Sequence, residues 1–336
     1  YSLVDVSATS APGTLDLNGD KVINATDKDE RQNFANWYSF ARTRNLATVT
    51  AASISFSTLD PTTRVAWQAL NTCRGGSGTM ETANCQGWKR NTSNVSNAIG
   101  TYNSTQKSDF YTWLAQLPTH DGTPLPAAMD RVGKYYSLTK NGGPYDNNPE
   151  SSAINSQHAC RRNYHIMMTD GIWNEDIDDF DNADNTNTAL PVKLDLNPDV
   201  SEYFARAPYK DDYSDTLADV AFHYWITDLA GLNNILAPVF NDRAGKDDTD
   251  RFWNAKNNPA TWQHMVNYTI GLGLSGYLSD PKVNLAWDGS TYGGSYPKLA
   301  KPKADGGISW PNANDNDQNP ANVADLWHAA INSRGS

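Results

Sequence analysis

A doubly wound, mostly parallel α/β sheet with long loop insertions is the fold that the 336-residue sequence predicts. Helix-periodic segments alternate along the chain with short apolar runs, the pattern of strands and crossover helices. The run "RNYHIMMTDG" is apolar on both faces and stops abruptly at Thr169-Asp170-Gly171, as a central parallel strand does. Stretches rich in Gly, Ser, Asn and Asp separate these elements and are read as insertions.

Taken in order, the segment from Asp27 to about Ser57 puts Phe34, Trp37, Tyr38, Ala41 and Leu46 on helical spacing, with acids in the first turn where the helix dipole favours them. One long helix is expected there. "TRVAWQAL", Thr63 to Leu70, reads as a short buried strand. Residues 71–105 form a decorated loop in which Cys73 and Cys85 flank "RGGSGTMETAN" and would close a short disulfide ring, which fits an oxidising compartment. Cys160 is left over. A second helix follows from about Gln106 to Leu117. A turn at Asp121, Gly122 and Thr123 then opens a helix with Leu125, Met129, Val132 and Tyr136 facing inward. After the strand ending at Thr169 comes a second insertion, residues 174–215, with the acidic stretch "NEDIDDFDNADNTN". "SDTLADVAFHYWITDLAGL" is a helix with its start signal at Ser214 or Asp215. "TWQHMVNYTIGLGLSG" leads into another strand, and "VADLWHAAINSR" closes as a helix. No repeat period is visible, and residues 1–336 are read as a single domain.

The formal charge of −11 argues against non-specific binding to nucleic acid or to an anionic membrane, since both would repel such a surface. No apolar run approaches the roughly 20 residues of a membrane-spanning helix. The first residue is Tyr, so a processed or excised chain is expected. The 11 Trp and 16 Tyr suit core packing first and glycan stacking second.

One local motif carries metal chemistry. In "DLNGDKVINATD", Asp16, Asn18, Asp20, the Val22 carbonyl, Asn24 and Asp27 fall at positions 1, 3, 5, 7, 9 and 12 of an EF-hand-type calcium loop. Lys21 stands where Gly usually makes the sharp turn, and Asp27 replaces the longer Glu. A single loop of this kind, resembling dockerin loops, is expected to bind Ca²⁺ structurally and to staple the entry of the first helix.

A second candidate site follows from topology, because ligands bind beyond the carboxyl ends of the strands in open α/β sheets. Asp170 stands at such an end and Thr123 on a neighbouring turn, and a Thr hydroxyl with an Asp can contribute to a Mg²⁺ shell. The segments "NFANWYSFARTRN", "DGTPLPAAMDRVGKYY", "CRRNYHIMMTDGIWN", "YSDTLADVAFHYWITDL", "WQHMVNYTIGLGLSG" and "DLWHAAINSRG" resemble, in this order, motifs of the PilC/PilY-like type IV pilus tip adhesins, in their von Willebrand factor A-like N-terminal region. The resemblance covers nearly all of the chain from Asn33 onward. It implies a von Willebrand A-like, Rossmann-like fold and a part exported through the periplasm to the pilus tip or outer surface. There it would act in adhesion and pilus biogenesis, as a virulence-related binding protein and not an enzyme. Its implied partners are minor pilins and a host-cell or surface receptor, protein or glycan. In that family a metal-ion-dependent adhesion site combines D-x-S-x-S after the first strand with a Thr and an Asp on later loops, and Thr123 and Asp170 match the last two. "DVSAT" offers Asp5, Ser7 and Thr9, yet only "YSLV" precedes it. The expectation is therefore a chain that begins after the adhesion-site Asp and ends before the family's C-terminal propeller-like region, leaving that site incomplete.

Other function classes find less support. A glycosidase needs two carboxyls roughly 5–10 Å apart, and the pool Asp176, Asp178, Asp179 and Asp181 reads more simply as a solvated loop. His120, His158, His165, His223, His264 and His328 show no H-E-x-x-H or C-x-x-C pattern, so no catalytic zinc is indicated. "GLGLSG" is not a nucleophile elbow. Glycan binding through Trp173, Trp287 or Trp310 remains the alternative among binding functions.

Overall fold

The computed structural model describes residues 30–70, 97–115, 117, 122–151, 156–173, 177, 179–196, 199–244, 247–313 and 319–335. The calcium-loop residues Asp16 to Asp27, the pair Cys73 and Cys85, and Asp121 lie outside them.

The chain divides into two compact units, residues 1–63 with 101–119 and residues 64–100 with 120–336. Among the described residues the first holds three helices, α1 (Glu30–Phe40), α2 (Arg44–Ser57) and α3 (Ser104–Ala115). The expected single long helix is broken after Phe40. Thr43 takes up an extended backbone conformation and its hydroxyl accepts from Leu46 N at 3.2 Å, starting a new helix as an N-cap. Trp37 and Tyr38, placed on helical spacing by the sequence, are half exposed at 51% each. Helices α2 and α3 meet through Phe56 and Phe110, whose rings lie 4.7 Å apart, and Lys107 Nζ donates to Ser57 O at 2.8 Å.

The second unit carries the main core. Its longer elements are α4 (Leu125–Tyr136), β1 (Asn163–Thr169), the antiparallel pair β2 (Thr188–Leu194) and β3 (Val200–Tyr203), α5 (Leu217–Ile226), β4 (Met265–Gly271) and α6 (Ala321–Asn332). β1 and β4 pair in parallel, with Asn163 opposite Met265 and Thr169 opposite Gly271. Parallel strands need a crossover, and α5 lies within theirs. The mixture of helices with a small parallel sheet agrees with the α/β expectation.

Helix α5 is buried on nearly every side, from Leu217 and Val220 through Phe222 to Trp225, which marks it as a central helix. It packs against α4, α6 and β4. The approach of α4 depends on Gly133, where an added Cβ would lie 2.3 Å from the Tyr224 ring. Trp262 fills the space below α5 and donates from Nε1 to Trp225 O at 2.7 Å. The Thr216 side chain caps α5 in a capping box with Asp219, two residues after the expected Ser214 and one after the expected Asp215.

Three further expectations are corrected. Only Arg64–Val65 of "TRVAWQAL" is strand, although Trp67 is buried. On α4, Val132 and Tyr136 pack partly buried against the core as expected, and Tyr135 is buried as well. The second insertion contains the β2/β3 hairpin, in which Leu190 turns inward while its neighbours face out. Strand β1 also departs from the two-sided burial its composition suggests. Tyr164 and Ile166 are 50% and 56% exposed, and they continue across the sheet to Ile270. An apolar groove of about 450 Å³ runs beside them, lined by Tyr268, Leu274, Trp287 and Trp327.

Candidate functional site

Thr123 and Asp170, the two residues read as adhesion-site-like, both lie among the described residues. Asp170 is exposed immediately beyond Thr169, at the carboxyl end of β1. The Thr169 hydroxyl donates to Gly171 O at 3.0 Å, and Leu272 N donates to Thr169 O at 2.8 Å, which holds the strand end against the start of the loop after β4. Thr123 is half-buried in the loop that opens α4, and its carbonyl accepts from Leu125 N at 3.0 Å. Helix α4, which follows Thr123, packs on β1, which precedes Asp170. Asp179 and Asp181, the described members of the acidic pool, are exposed.

A second constellation, which sequence reasoning missed, lies in the core. Helix α6 presents Asp325, His328 and Asn332 on one face, at i, i+3 and i+7, toward α5 and toward a 3₁₀ turn at Ala183–Asn185. All three are buried, as are Asp184 in the turn, Asp211 in the loop before α5, and Asp219 in its first turn. Most of these oxygens are committed. Asp325 accepts from Leu217 N at 2.8 Å and Ala218 N at 3.0 Å, so a side chain of α6 satisfies two orphan N–H groups of α5. Asp219 accepts from Thr216 N at 3.0 Å and from Asp184 N at 3.2 Å. Asp184 Oδ1 accepts from Asp211 N at 3.0 Å, and Asp211 Oδ1 from Tyr213 N at 2.7 Å.

The remaining atoms converge on His328. Its Nε2 lies 2.7 Å from Tyr209 O, and since a carbonyl only accepts, Nε2 carries the proton. Asp211 Oδ2 lies 3.4 Å from Nδ1 and Asp184 Oδ2 lies 3.6 Å from Nε2. Trp310 stacks on the imidazole at 4.3 Å with the rings 16° from parallel.

Burial dominates the electrostatics. It pushes the Asp184 carboxyl well above the usual carboxylate range, and Asp211 and Asp219 push the same way. Asp219 rises to about 7 and Asp325 also rises, burial again being the first cause. The His328 imidazole is held below its ordinary value by burial, against the pull of Asp211. Arg334, the buried cation of this region, lies 4.2 Å over Tyr209 and 4.5 Å over Trp225, and burial lowers it to about 9. Among the described residues it forms no ion pair with Asp184 or Asp211.

Comparison with known proteins gives a consistent answer. The chain is 43% identical over 309 residues to the type IV pilus biogenesis factor PilY1 of Pseudomonas aeruginosa strain PAK, covering 91% of this chain. It is 44% identical over 315 residues to the factor of the same name from strain UCBPP-PA14, covering 93% of this chain. In both cases the chain spans 24% of the relative's length. No family model matches the chain. No solved structure matches it either.

Proposed function

The chain belongs to the PilC/PilY-like family, and from that premise we propose that it is the adhesive part of a type IV pilus biogenesis factor, displayed at the pilus tip or outer surface after export through the periplasm. The observation that carries the reading is the 43% identity to PilY1 over 91% of the chain. In this reading the domain adopts a von Willebrand A-like arrangement and acts by binding rather than by catalysis. Its partners are minor pilins on one side and a host-cell or surface receptor, protein or glycan, on the other.

Two features support a ligand site at the carboxyl end of the β1/β4 pair. Asp170 is exposed there, and in this reading it shares Mg²⁺ with Thr123, from the loop that opens α4, and with an acidic ligand group. Gly271, which pairs with Thr169 beside Asp170, also lines the apolar groove, so a charged and an apolar contact surface adjoin. The loop from Asp16 to Asp27 is read as a structural Ca²⁺ site that fixes the entry to the first unit.

The test separates assembly from adhesion. The longer protein, intact or carrying Asp170→Ala, is returned to a strain lacking the factor, and surface pili and attachment to host cells are both counted. Normal pili with attachment reduced at least about tenfold is the expected result. Normal pili with full attachment would remove the role of Asp170, and piliation restored without residues 64–335 would remove the biogenesis role.

A further inference from the structure

A parallel sheet is covered by helices on both faces as a rule, because its crossover connections place them there. The β1/β4 pair is covered on one face and open over most of the other. Asn163, Met167, Met265 and Asn267 share the covered face and are buried. On the opposite face the register sets Ile166 beside Tyr268 and Met168 beside Ile270. Tyr164, Ile166 and Ile270 are exposed there.

The open face runs into the apolar groove of about 450 Å³. Ile166, Tyr268 and Ile270 line it from the sheet, and Val323, Leu326, Trp327 and Ala330 line it from α6. The four α6 residues stand at i, i+3, i+4 and i+7, so a whole stripe of that helix borders the groove. Such a stripe is what one helix offers another when their ridges and grooves interlock. β1 and β4 are seven residues each, and about 23 Å of strand matches about four turns of helix. The polar groups along the groove are largely spent within the chain: Thr269 Oγ1 donates to Leu326 O at 2.8 Å, and Trp327 Nε1 donates to Thr291 O at 2.9 Å. A glycan laid here would leave hydroxyls unpaired.

Charge chooses among apolar partners. Among the described residues no Lys or Arg lines the groove. Residues 265–291, which supply much of the lining, carry Asp280 and Asp288 against Lys282. Exposed Asp170 adds a further acid, since it follows Thr169, the partner of lining residue Gly271. With a formal charge of −11 behind this rim, an anionic lipid or a second copy of the chain is disfavoured and a cationic partner is drawn in.

We propose that the groove docks an amphipathic α-helix of a partner protein, whose apolar face enters with side chains at i, i+3, i+4 and i+7 and whose flanks carry Lys or Arg. That helix supplies the second layer over β1 and β4. The inference concerns the groove and holds whether or not Asp170 takes a metal.

The test uses the whole 336-residue chain. The probe is a labelled helical peptide of about 16 Leu and Lys residues, with Leu at i, i+3, i+4 and i+7, and binding is followed by fluorescence anisotropy. A second probe carries Glu in place of Lys. Saturable one-to-one binding of the Lys probe is expected, at least about tenfold tighter than that of the Glu probe. The double variant Ile166→Glu, Ile270→Glu should weaken the Lys probe at least about tenfold, although it adds two negative charges. Asp170→Ala should keep the affinity within about fivefold, since it removes one rim charge and leaves the apolar surface whole. No binding, or Lys-probe binding that the double variant retains or strengthens, would overturn the proposal by leaving only charge attraction. Equal binding of the two probes would overturn it too. Loss of binding in Asp170→Ala would move the contact to the strand end, and a wild-type dimer in sedimentation that the double variant lacks would assign the groove to a second copy; either result overturns the proposal.

Discussion

His264 shows how two hydrogen bonds can fix a protonation state. Its Nδ1 donates to Trp262 O at 2.7 Å, so Nε2 must accept from Asn258 Nδ2, 2.9 Å away, while Asn258 Oδ1 accepts from Trp225 Nε1 at 3.2 Å. A second proton on the ring would set one donor against another. Burial therefore lowers this imidazole to about 4. In the unfolded chain the same group takes up its proton near 6.5. Between those values the unfolded state binds more protons, so stability is complete above about 6.5 and falls as pH drops toward 4. Denaturant melts at pH 7 and pH 5 should differ by roughly 2 kcal/mol from this residue alone, and ring nitrogen shifts should show His264 neutral at pH 5. A ring already charged at pH 6 would contradict the assignment. Asp325 is the second residue whose effect can be stated. Asp325→Ala strands Leu217 N and Ala218 N at the buried start of α5 and should cost roughly 3 kcal/mol. Asp325→Asn keeps one acceptor and should cost about half of that.

At the level of elements, the contact between α4 and α5 decides more than helix propensity does. Alanine is the better helix former by about 1 kcal/mol, yet Gly133→Ala puts a methyl group 2.3 Å from the Tyr224 ring, whose hydroxyl donates to buried Asp130 at 2.6 Å. A net loss of 1–3 kcal/mol is expected in thermal or denaturant melts, the ordinary cost of overpacking. The elements themselves were largely legible, since α4, α5, α6, β1 and β4 each occupy the segments marked by periodicity or by an apolar run. The break at Thr43 was not, because the apolar spacing continues across it and a Thr between two Arg residues gives no loop signal. The β2/β3 hairpin was hidden by Pro191 in the middle of a strand that fully buries only Leu190. The carboxyl-end position of Asp170 followed from where the β1 run stops. The core constellation could not be found in this way, because Asp184, Asp211 and His328 are spread along the chain with no motif spacing. The one local trace was Asp325, His328 and Asn332 forming a polar stripe on the otherwise apolar "VADLWHAAIN".

For the molecule as a whole, calcium dependence should trace to a single loop. Calorimetry on the chelator-stripped chain should show one calcium site that Asp20→Ala abolishes, and no calcium binding would remove the loop from Asp16 to Asp27 as a staple. The exposed side of the β1/β4 pair has a further consequence, for how the chain behaves among its own copies. Tyr164, Ile166 and Ile270 form a sticky surface on a body of net charge −11. At low ionic strength the shared charge keeps neighbours apart, since its field reaches about 30 Å at 10 mM salt. At 1 M that reach shrinks to about 3 Å and the apolar faces come within contact range. Light scattering should therefore show net repulsion between molecules in dilute buffer turning to attraction as salt is added, and Ile166→Lys should delay that crossover.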